Sequence, residues 1–370
     1  MIIAGEASGD LHGGNVIREL NKINPDLQVI GTGGSVLEAE NAELYYRVED
    51  LAVIGFSEVI KIYKRLKNIF DDLVGKLDTE RPDAVLLVDY PAFNLKFAKE
   101  AKKRGIKVIF YIAPQVWAWK KKRVEVIKKY VDELIVLFPF EVEFFKKEGM
   151  ETHCFGHPLL DITKPSLNKD EVFSHWSLDP HKKTISILPG SRKNEILKHL
   201  PLLFETVDEI NRKQQNIQFV FPLASTVKKD VFQPFMNETK ADVHLVENDT
   251  YNMVAHSDFA LVASGTATLE TTILNTPLMI FYKSSLLTYI IGKYLLRIQA
   301  IGLPNIISGK LVVPEDPHFS SPKKMSKDVL KYLEDPEAYN KIKNNMADVI
   351  KNLGNTGAYQ KTAEFIHQLI

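Results

Sequence analysis

Two glycine-containing turns in the second half of the chain have the composition of a diphosphate-binding site. Leu-Pro-Gly-Ser-Arg at 188–192 and Ala-Ser-Gly-Thr-Ala at 263–267 each follow an apolar run and precede a helical pattern. In a parallel sheet both turns fall at the carboxyl edge, where free backbone N–H groups and helix dipoles attract phosphate. Arg192 adds a planar cation suited to two phosphate oxygens, and Glu270 adds an acceptor for a ribose diol. We therefore predict a nucleoside diphosphate site formed by Arg192, Ser264, Gly265, Thr266 and Glu270.

Polar side chains also follow the first strand of the chain. The glycine-rich loop 4–14 presents Glu6, Ser8 and Asp10, whose oxygens suit the hydroxyl groups of a sugar. The loop lacks the GxGxxG spacing of a dinucleotide fingerprint, so a dinucleotide is not the first expectation. The alternative is a plain strand-to-helix turn in which Ser8 or Asp10 caps the helix.

Asp89 is the candidate general base. It follows the apolar run 84–88, and Pro91 stands just after it at the expected start of a helix. A carboxylate at this edge of a sheet can take the proton from an attacking hydroxyl. The alternative role for Asp89 is an N-cap. Glu6 and Asp10 remain rival bases because they are expected on the same rim.

Two segments have the composition of a sugar- or lipid-contacting surface. Trp117 and Trp119 lie on a loop after a strand, where they either pack on sugar rings or acyl chains or fold into the core. The pattern 56–73 places apolar residues on one side of a helix and basic residues on the other. Such a helix either lies in a membrane interface or packs on its own sheet. The apolar segment 286–298 is a second candidate.

His157 and Asn305 are further candidates. His157 lies in a Gly-His-Pro hinge, where it is either catalytic or part of the hinge alone. Asn305 follows Pro304 on a loop, where it either reads a uracil edge, binds phosphate or caps a turn. No cluster of His, Cys and Asp has the spacing of a metal site.

Strand-like and helical runs alternate along the chain, which predicts parallel sheets covered by helices on both faces. A linker rich in Pro, Asp, Lys and Ser separates two such sets at 156–180. We predict an α/β fold of GT-B type: Rossmann-like domains at 1–160 and 161–325, a ligand cleft between them, and C-terminal helices at 326–370, which the resemblance described below implies cross back to the first domain. The predicted strands are 2–4, 28–31, 84–88, 107–111, 133–137, 151–154, 184–188, 217–222, 243–246, 259–262 and 277–281.

The bulk composition excludes several classes of protein. At 370 residues, 45% hydrophobic and 25% charged, the chain suits a globular protein with two cores. Lys plus Arg equals Asp plus Glu at 47 each, so the overall charge gives no argument for nucleic acid. The one cysteine, Cys154, suits a reducing cytoplasm. No window approaches ~18 uncharged apolar residues, so we predict no spanning helix, and we see no signal-peptide pattern.

These segments, in this order, resemble the lipid-A-disaccharide synthase family of glycosyltransferases. The resemblance covers nearly the whole chain, and the conjunction of blocks is far more specific than any single motif. GTGG at 31–34 departs mildly from the family's more usual GIGG or GVGG. The matching blocks are AGEASGD at 4–10, GTGG at 31–34, VIGFSEV at 53–59, DYPAFN at 89–94, YIAPQVWAW at 111–119, GHPL at 156–159, LPGSR at 188–192, SGTATLE at 264–270 and LPN at 303–305.

The resemblance implies an inverting transfer that uses no metal and no cofactor. The donor would be UDP-2,3-diacylglucosamine and the acceptor 2,3-diacylglucosamine 1-phosphate. The products would be UDP and the β-1,6-linked lipid A disaccharide 1-phosphate. By motif, Asp89 is the expected base, and Arg192, Glu270 and Asn305 belong to the UDP side. Also implied are a homodimer that exchanges its C-terminal helices and, because both substrates are lipids, a place on the cytoplasmic face of the bacterial inner membrane.

Two other classes fit parts of the pattern. Another GT-B member, such as a UDP-sugar epimerase or a lipid-linked GlcNAc transferase, would not need two acylated substrates, so activity on water-soluble sugars would favour it. A non-catalytic nucleotide-sugar or flavin-binding module would keep its role after Asp89→Asn, and a yellow protein would point to flavin.

Overall fold

The computed structural model describes residues 1–51, 59–114, 121–223, 227–282, 300–316 and 321–370. They form two compact units, one of residues 1–161 with 353–370 and the other of residues 162–352. Each unit contains a sheet of six parallel strands with helices in the connections, which confirms the predicted α/β fold class. The unit boundary falls beside the predicted boundary at 160, and the predicted segment 326–370 is divided between the two units.

The first unit has the strand order β3-β2-β1-β4-β5-β6. This order reverses direction between β1 and β4, and ligands of doubly wound sheets bind where the order reverses. The loops that carry Glu6 and Asp89 leave β1 and β4 at that point. The strands are β1 (Ile2–Ala4), β2 (Ile30–Gly33), β3 (Glu43–Arg47), β4 (Ala84–Val88), β5 (Lys107–Tyr111) and β6 (Glu133–Ile135).

The first helices of the chain connect these strands. The helix that begins after Asp89 has a proline at its first position, where no intrahelical N–H is needed. The helices are α1 (Ala7–Ile23), α2 (Ser35–Ala39), α3 (Val48–Leu51), α4 (Val59–Glu80), α5 (Pro91–Lys103), α6 (Lys121–Tyr130), α7 (Pro139–Lys147) and α8 (Leu159–Ile162).

The second unit repeats the topology with the order β12-β11-β10-β7-β8-β9. Here the order reverses between β7 and β10, the two strands that precede the predicted diphosphate turns. The strands are β7 (Lys183–Leu188), β8 (Ile217–Leu223), β9 (Asp242–Glu247), β10 (Phe259–Ala263), β11 (Leu278–Phe281) and β12 (Glu315–Asp316).

The helices of the second unit include two of the C-terminal segment. They are α9 (Lys169–His175), α10 (Lys193–Lys213), α11 (Gln233–Glu238), α12 (Thr250–Ala255), α13 (Thr266–Ile273), α14 (Leu303–Ser308), α15 (Pro322–Glu334) and α16 (Pro336–Lys351), with a 3-10 turn at Lys229–Val231. The last helix, α17 (Ala358–His367), belongs to the first unit.

The central strands are buried because their sequences are unbroken apolar runs. In β4, four of the five residues of Ala-Val-Leu-Leu-Val are buried, and all five of Phe-Ala-Leu-Val-Ala in β10 are buried. Such runs are typical of strands covered on both faces. The strands therefore hold the loops at their carboxyl ends in fixed positions.

Three details of the strand prediction differ from the structure. The predicted strand 151–154 is wrong: only His153 pairs there, in an isolated bridge with Ile135. Strand β3 was not predicted, because it lies at a sheet edge and none of its residues is buried, so it has no apolar pattern. Strand β12 has two residues, too few to give a pattern.

Candidate active site

A cavity of about 790 Å³ opens at the carboxyl ends of the strands of the second unit. Its walls come from the carboxyl end of β8 and from the residues that follow β7, β9 and β10, where ligands of doubly wound sheets bind. The predicted residues that line it are Arg192, Ser264, Gly265, Thr266 and Glu270. The structure thus brings together both predicted turns and the predicted ribose acceptor.

The turn after β7 is held in one conformation. Gly190 has φ +119°, a conformation that favours glycine, and a Cβ there would lie 2.5 Å from the carboxylate of Glu195. The buried ring of His199 lies 2.7 Å from the carbonyl oxygen of Pro189 through Nδ1, which must therefore carry the hydrogen. His199 is a site residue that the sequence analysis missed. Its only signal was a histidine on a buried face of the helix after the turn.

Two cations with free side chains line the cavity. Arg192 occupies the N-cap of α10 and is exposed. Within the described part of the chain, its guanidinium has neither a hydrogen bond nor an ion pair. Lys164 is likewise exposed on the cavity wall and unpaired among the described residues, and the sequence analysis missed it. Free cations beside helix N-termini suit an anionic ligand.

The turn after β10 presents a helix N-terminus to the same cavity. Gly265 has φ +153°, and α13 begins at Thr266, so the first amides of the helix lack intrahelical acceptors. Ser264 donates its hydroxyl hydrogen to the carbonyl oxygen of Ile301 at 2.6 Å. Ser264 therefore ties the turn to the neighbouring loop, while the amides after Gly265 remain available to an anion.

Glu270 lies one turn further along α13, and Tyr251 holds its carboxylate. The Tyr251 hydroxyl, on α12, donates to Oε1 of Glu270 at 2.7 Å. Burial raises the pKa of Glu270, and the hydrogen bond from Tyr251 acts in the opposite direction. Burial and the charge of Glu270 together raise the pKa of Tyr251. The sequence analysis missed Tyr251, because nothing in its spacing links it to Glu270.

Asn305 is used by its own loop. Its side chain is 1% exposed. Its Nδ2 donates to Val313 O at 2.9 Å and to Oε1 of Glu315 at 2.7 Å, and its Oδ1 accepts from the amides of Val312 and Val313. No donor or acceptor remains for a nucleotide, and Asn305 does not line the described cavity. This geometry favours the alternative of a turn-holding asparagine.

In the first unit, Asp89 directly follows β4 and has an unusual backbone conformation. Asp89 and the following Tyr90 have φ +48° and +49°, a left-handed conformation that costs ~1–3 kcal/mol for each residue other than glycine. The Asp89 amide donates to Tyr111 O at 2.9 Å. Burial, together with the negative charge of Glu6, raises the pKa of Asp89. Its carboxylate is therefore a stronger base than an ordinary aspartate.

The three other candidate site residues of the first unit, Glu6, Ser8 and Asp10, differ in their exposure and in their hydrogen bonds. Asp10 is 5% exposed and accepts from the amides of Gly34, Val36 and Leu37 at 2.7 to 3.1 Å. It thus caps α2, rather than its own helix. Glu6 and Ser8 are exposed at the start of α1, and neither caps that helix. Of the three carboxylates, Asp10 serves the fold, whereas Glu6 is exposed and Asp89 is half-buried.

His157 is 4% exposed and accepts from the Leu159 amide at 3.2 Å through Nδ1, at the start of α8. Burial, with a smaller contribution from His12, lowers its pKa to about 3. A neutral, enclosed imidazole supports the hinge interpretation.

The candidate lipid-contacting segments are described only in part. Trp117, Trp119, Phe56 and 286–298 lie outside the described residues. Helix α4 buries Ile69, Leu73 and Leu77 in the core of the first unit, whereas Tyr63 near its start is 65% exposed. The later turns thus pack on the sheet, as the structural alternative predicts. Among the described helices, none has the length and apolarity needed to cross a membrane.

Comparison with known sequences places this geometry in context. The sequence model of the family described as lipid-A-disaccharide synthetase matches residues 1–369. The lipid-A-disaccharide synthase of Geobacter sulfurreducens is 36% identical over 100% of this chain and 97% of the relative. That of Coxiella burnetii (strain CbuG_Q212) is 35% identical over 100% of this chain and 98% of the relative.

Solved structures show the same fold. The S. aureus MnaA-UDP structure has a TM-score of 0.67 at 15% identity and covers 100% of this chain and 97% of its own. The UDP-GlcNAc 2-epimerase of Neisseria meningitidis bound to UDP-GlcNAc has a TM-score of 0.62 at 16% identity, covering 100% and 98%. At these identities the similarity concerns the fold alone, and it confirms the predicted GT-B class.

Proposed function

The chain belongs to the lipid-A-disaccharide synthase family, and from this membership we propose how its residues carry the reaction. The protein is a glycosyltransferase. It joins UDP-2,3-diacylglucosamine to 2,3-diacylglucosamine 1-phosphate and forms the β-1,6-linked lipid A disaccharide 1-phosphate and UDP. The observation that carries the residue assignment is the cavity of the second unit, which gathers a free guanidinium, a helix N-terminus and the Glu270 carboxylate.

The acceptor hydroxyl needs a base. A sugar 6-hydroxyl is almost entirely un-ionised at neutral pH, so its proton must leave as the oxygen attacks. We assign that proton to the Asp89 carboxylate, whose pKa is raised by burial and by Glu6. The oxygen forms a bond to C1 of the donor sugar while the bond from C1 to the diphosphate oxygen breaks, with inversion at C1. Glu6 and Ser8 are proposed contacts of sugar hydroxyls.

The departing UDP gains negative charge. The amides that follow Gly265 are held in place by the turn and by α13, so they stabilise this charge without reorganising. The exposed guanidinium of Arg192 adds a cation that is free to pair with the diphosphate. Glu270, held by Tyr251, accepts from the ribose hydroxyls. Asn305 is left out of this assignment because its side chain is already fully bonded.

The test uses both acylated substrates. Incubation of the protein with the UDP-linked diacyl donor and the diacyl sugar phosphate should release UDP and form a disaccharide phosphate detectable by mass spectrometry, and omission of the acceptor should abolish both. Conversion of UDP-GlcNAc to an epimer, without disaccharide from the lipid pair, would instead support the epimerase alternative.

Because both substrates are diacylated, we propose that the enzyme acts at a membrane surface, on the cytoplasmic face of the inner membrane. The exposed Tyr63 on α4, next to Lys64 and Arg65, supports contact there. Tyr63→Ser should reduce sedimentation with anionic liposomes. Ile23→Ser, which alters an exposed apolar residue on α1, should not. Equal sedimentation of the Tyr63 variant and the wild type would remove this part of the proposal.

We also propose a homodimer that exchanges its C-terminal helices. Helix α17 packs on α1 of the first unit, where it buries Ala358, Ala363 and Ile366. Polar contacts add to this packing: the Tyr359 hydroxyl lies 2.8 Å from Nδ1 of His12, and Asp161 accepts from the amides of Gly357 and Tyr359. A second copy of the chain can supply the same contacts. Light scattering during size exclusion should give about twice the 42.0 kDa chain mass, and a mass of one chain at every concentration would contradict exchange.

A further inference from the structure

One buried side chain of the first unit joins the two loops that carry Glu6 and Asp89. Asn94, in the first turn of α5, is 0% exposed. Its Nδ2 donates to Asp89 O at 2.7 Å and lies 3.3 Å from both Val88 O and Ile3 O. Because all three partners are carbonyl oxygens, only the NH₂ of the amide can face them, which fixes its orientation.

The partners of Asn94 belong to two neighbouring strands. Val88 is the last residue of β4 and Asp89 follows it, and Ile3 lies in β1, three residues before Glu6. The two strands are adjacent where the strand order reverses. One side-chain amide therefore spans the junction of the two strands from which the loops carrying Glu6 and Asp89 emerge.

The segment that Asn94 holds does not keep its conformation by local preference. Two consecutive left-handed residues, one of them the bulky Tyr90, persist only where their surroundings hold them. The Tyr90 ring packs directly against Gly5, and its hydroxyl donates to Leu51 O at 3.1 Å. Asn94 also holds this segment, and the shortest of its three contacts is the one to the carbonyl oxygen of Asp89 itself.

We propose that Asn94 is a positioning residue, which aims the Asp89 carboxylate and sets its separation from Glu6 by joining the ends of β1 and β4. This inference rests on the proposed role of Asp89 as the base. Burial and, among the described charged groups, the field of Glu6 raise the pKa of Asp89, and a hydrogen bond from the Tyr90 amide opposes them with a smaller effect. Without the hydrogen bonds of Asn94, the turn at Asp89 relaxes and water reaches the carboxylate. Burial and the field of Glu6 then raise the pKa of Asp89 less than they do in the wild type.

The experiment compares Asn94→Ala with the wild type over a range of pH. The variant should lose about 10- to 100-fold in kcat, the size of effect that a misplacement near 1 Å produces. Its donor KM and its UDP affinity should stay within about twofold, because the donor cavity is in the other unit. The acid limb of its kcat profile should move to lower pH as the pKa of Asp89 falls. Simple destabilisation would not move that limb.

The control is Asn15→Ala, which removes another buried asparagine that donates to a backbone carbonyl of the same unit, Leu11 O at 2.7 Å. It should leave the acid limb in place. If Asn94→Ala fails to fold, Gly5→Ala tests the same turn, since a Cβ at Gly5 would meet the Tyr90 ring and displace it.

An acid limb at the wild-type position in a folded Asn94→Ala or Gly5→Ala protein would overturn the positioning role. Asp89→Asn, measured in parallel, distinguishes a failure of the positioning role of Asn94 from a failure of the proposed role of Asp89 as the base. If Asp89→Asn turns over normally, the base assignment falls and the positioning role with it. If Asp89→Asn is inactive while the acid limb of the kcat profile of Asn94→Ala stays at its wild-type pH, only the positioning role of Asn94 is contradicted.

Discussion

The Tyr251 hydroxyl donates a hydrogen bond of 2.7 Å to Oε1 of Glu270, across the gap between α12 and α13. One oxygen of Glu270 is thereby held by the protein, and the other accepts no hydrogen bond from the described residues. A carboxylate fixed in this way can accept two ribose hydroxyls only if the ribose adopts one orientation. We therefore propose that the pair controls the recognition of the nucleoside rather than that of the diphosphate.

The first prediction concerns Tyr251→Phe. Loss of the hydrogen bond frees the Glu270 carboxylate and should weaken UDP binding by about tenfold, the usual scale for a hydrogen bond to a charged group. Calorimetry with UDP and 2′-deoxy-UDP measures this. The wild type should discriminate between the two ligands more strongly than the variant. Tyr339→Phe, on α16, serves as the control and should change neither affinity.

The same pair predicts a pH dependence. Only the ionised Glu270 accepts both ribose hydroxyls, so UDP affinity should fall as the pH falls through the pKa of Glu270. The Tyr251 hydrogen bond lowers that pKa against the effect of burial. In Tyr251→Phe the pKa rises further, and the loss of affinity should begin at a higher pH. Superimposed titrations of variant and wild type would contradict the role of Tyr251.

The exposed cation Arg192 predicts an effect on UDP binding that depends on the phosphates of the ligand. Arg192→Ala should weaken UDP binding by about 10- to 100-fold, because a charge-assisted bond is worth ~1.5–3 kcal/mol. Uridine, which has no phosphate, should bind equally to both proteins. Arg192→Lys keeps the positive charge but loses the planar guanidinium that can bind two phosphate oxygens. Its affinity for UDP should therefore lie between that of the wild type and that of Arg192→Ala. Lys198→Met, on an exposed position of α10 outside the cavity wall, is the matched control. An equal loss for uridine would show that the cavity itself has been disturbed.

These comparisons show what the sequence could and could not predict. Arg192, Gly265 and Glu270 were predictable because a glycine turn between a buried strand and a helix has few structural solutions, and its ligand chemistry follows from backbone geometry. His199 and Tyr251 were not, because their partners, Pro189 O and the Glu270 carboxylate, come within reach only in the folded structure, which no local pattern records.

Asp10 and Asn305 illustrate the opposite error. Both are polar residues beside glycine or proline in an expected loop, which favours ligand binding and turn stabilisation equally. Their hydrogen bonds run to backbone amides 24 and 7 residues distant, respectively. Only the tertiary structure distinguishes a side chain that serves another loop from one that faces a ligand.

Asp10 gives the fourth prediction. Its carboxylate accepts from three amides, and Asp10→Asn replaces one acceptor oxygen with a donor that faces an amide hydrogen. The free energy of unfolding should fall by ~1–3 kcal/mol, measured in urea. Turnover per folded molecule should stay close to that of the wild type. A folded, stable Asp10→Asn protein without turnover would revive Asp10 as the base.

Asp89→Asn is the last prediction, and it joins catalysis to stability. The variant has no base, so turnover with the lipid substrates should fall by at least about 100-fold, while UDP binding in the other unit should be unchanged. The pKa of Asp89 is raised in the folded protein, so its ionised form destabilises the fold at pH values above that pKa. The neutral amide removes this cost, and the melting temperature should rise at neutral pH.

The two melting temperatures should converge as the pH falls through the pKa of Asp89, because the wild-type side chain then becomes neutral as well. Glu6→Gln is the companion variant. It removes the charge that helps to raise the pKa of Asp89, so the acid limb of its kcat profile should move to lower pH, and its base should be weaker at neutral pH. An Asp89→Asn protein that melts below the wild type at neutral pH would show that the carboxylate is a structural cap, as the alternative interpretation of Asp89 holds.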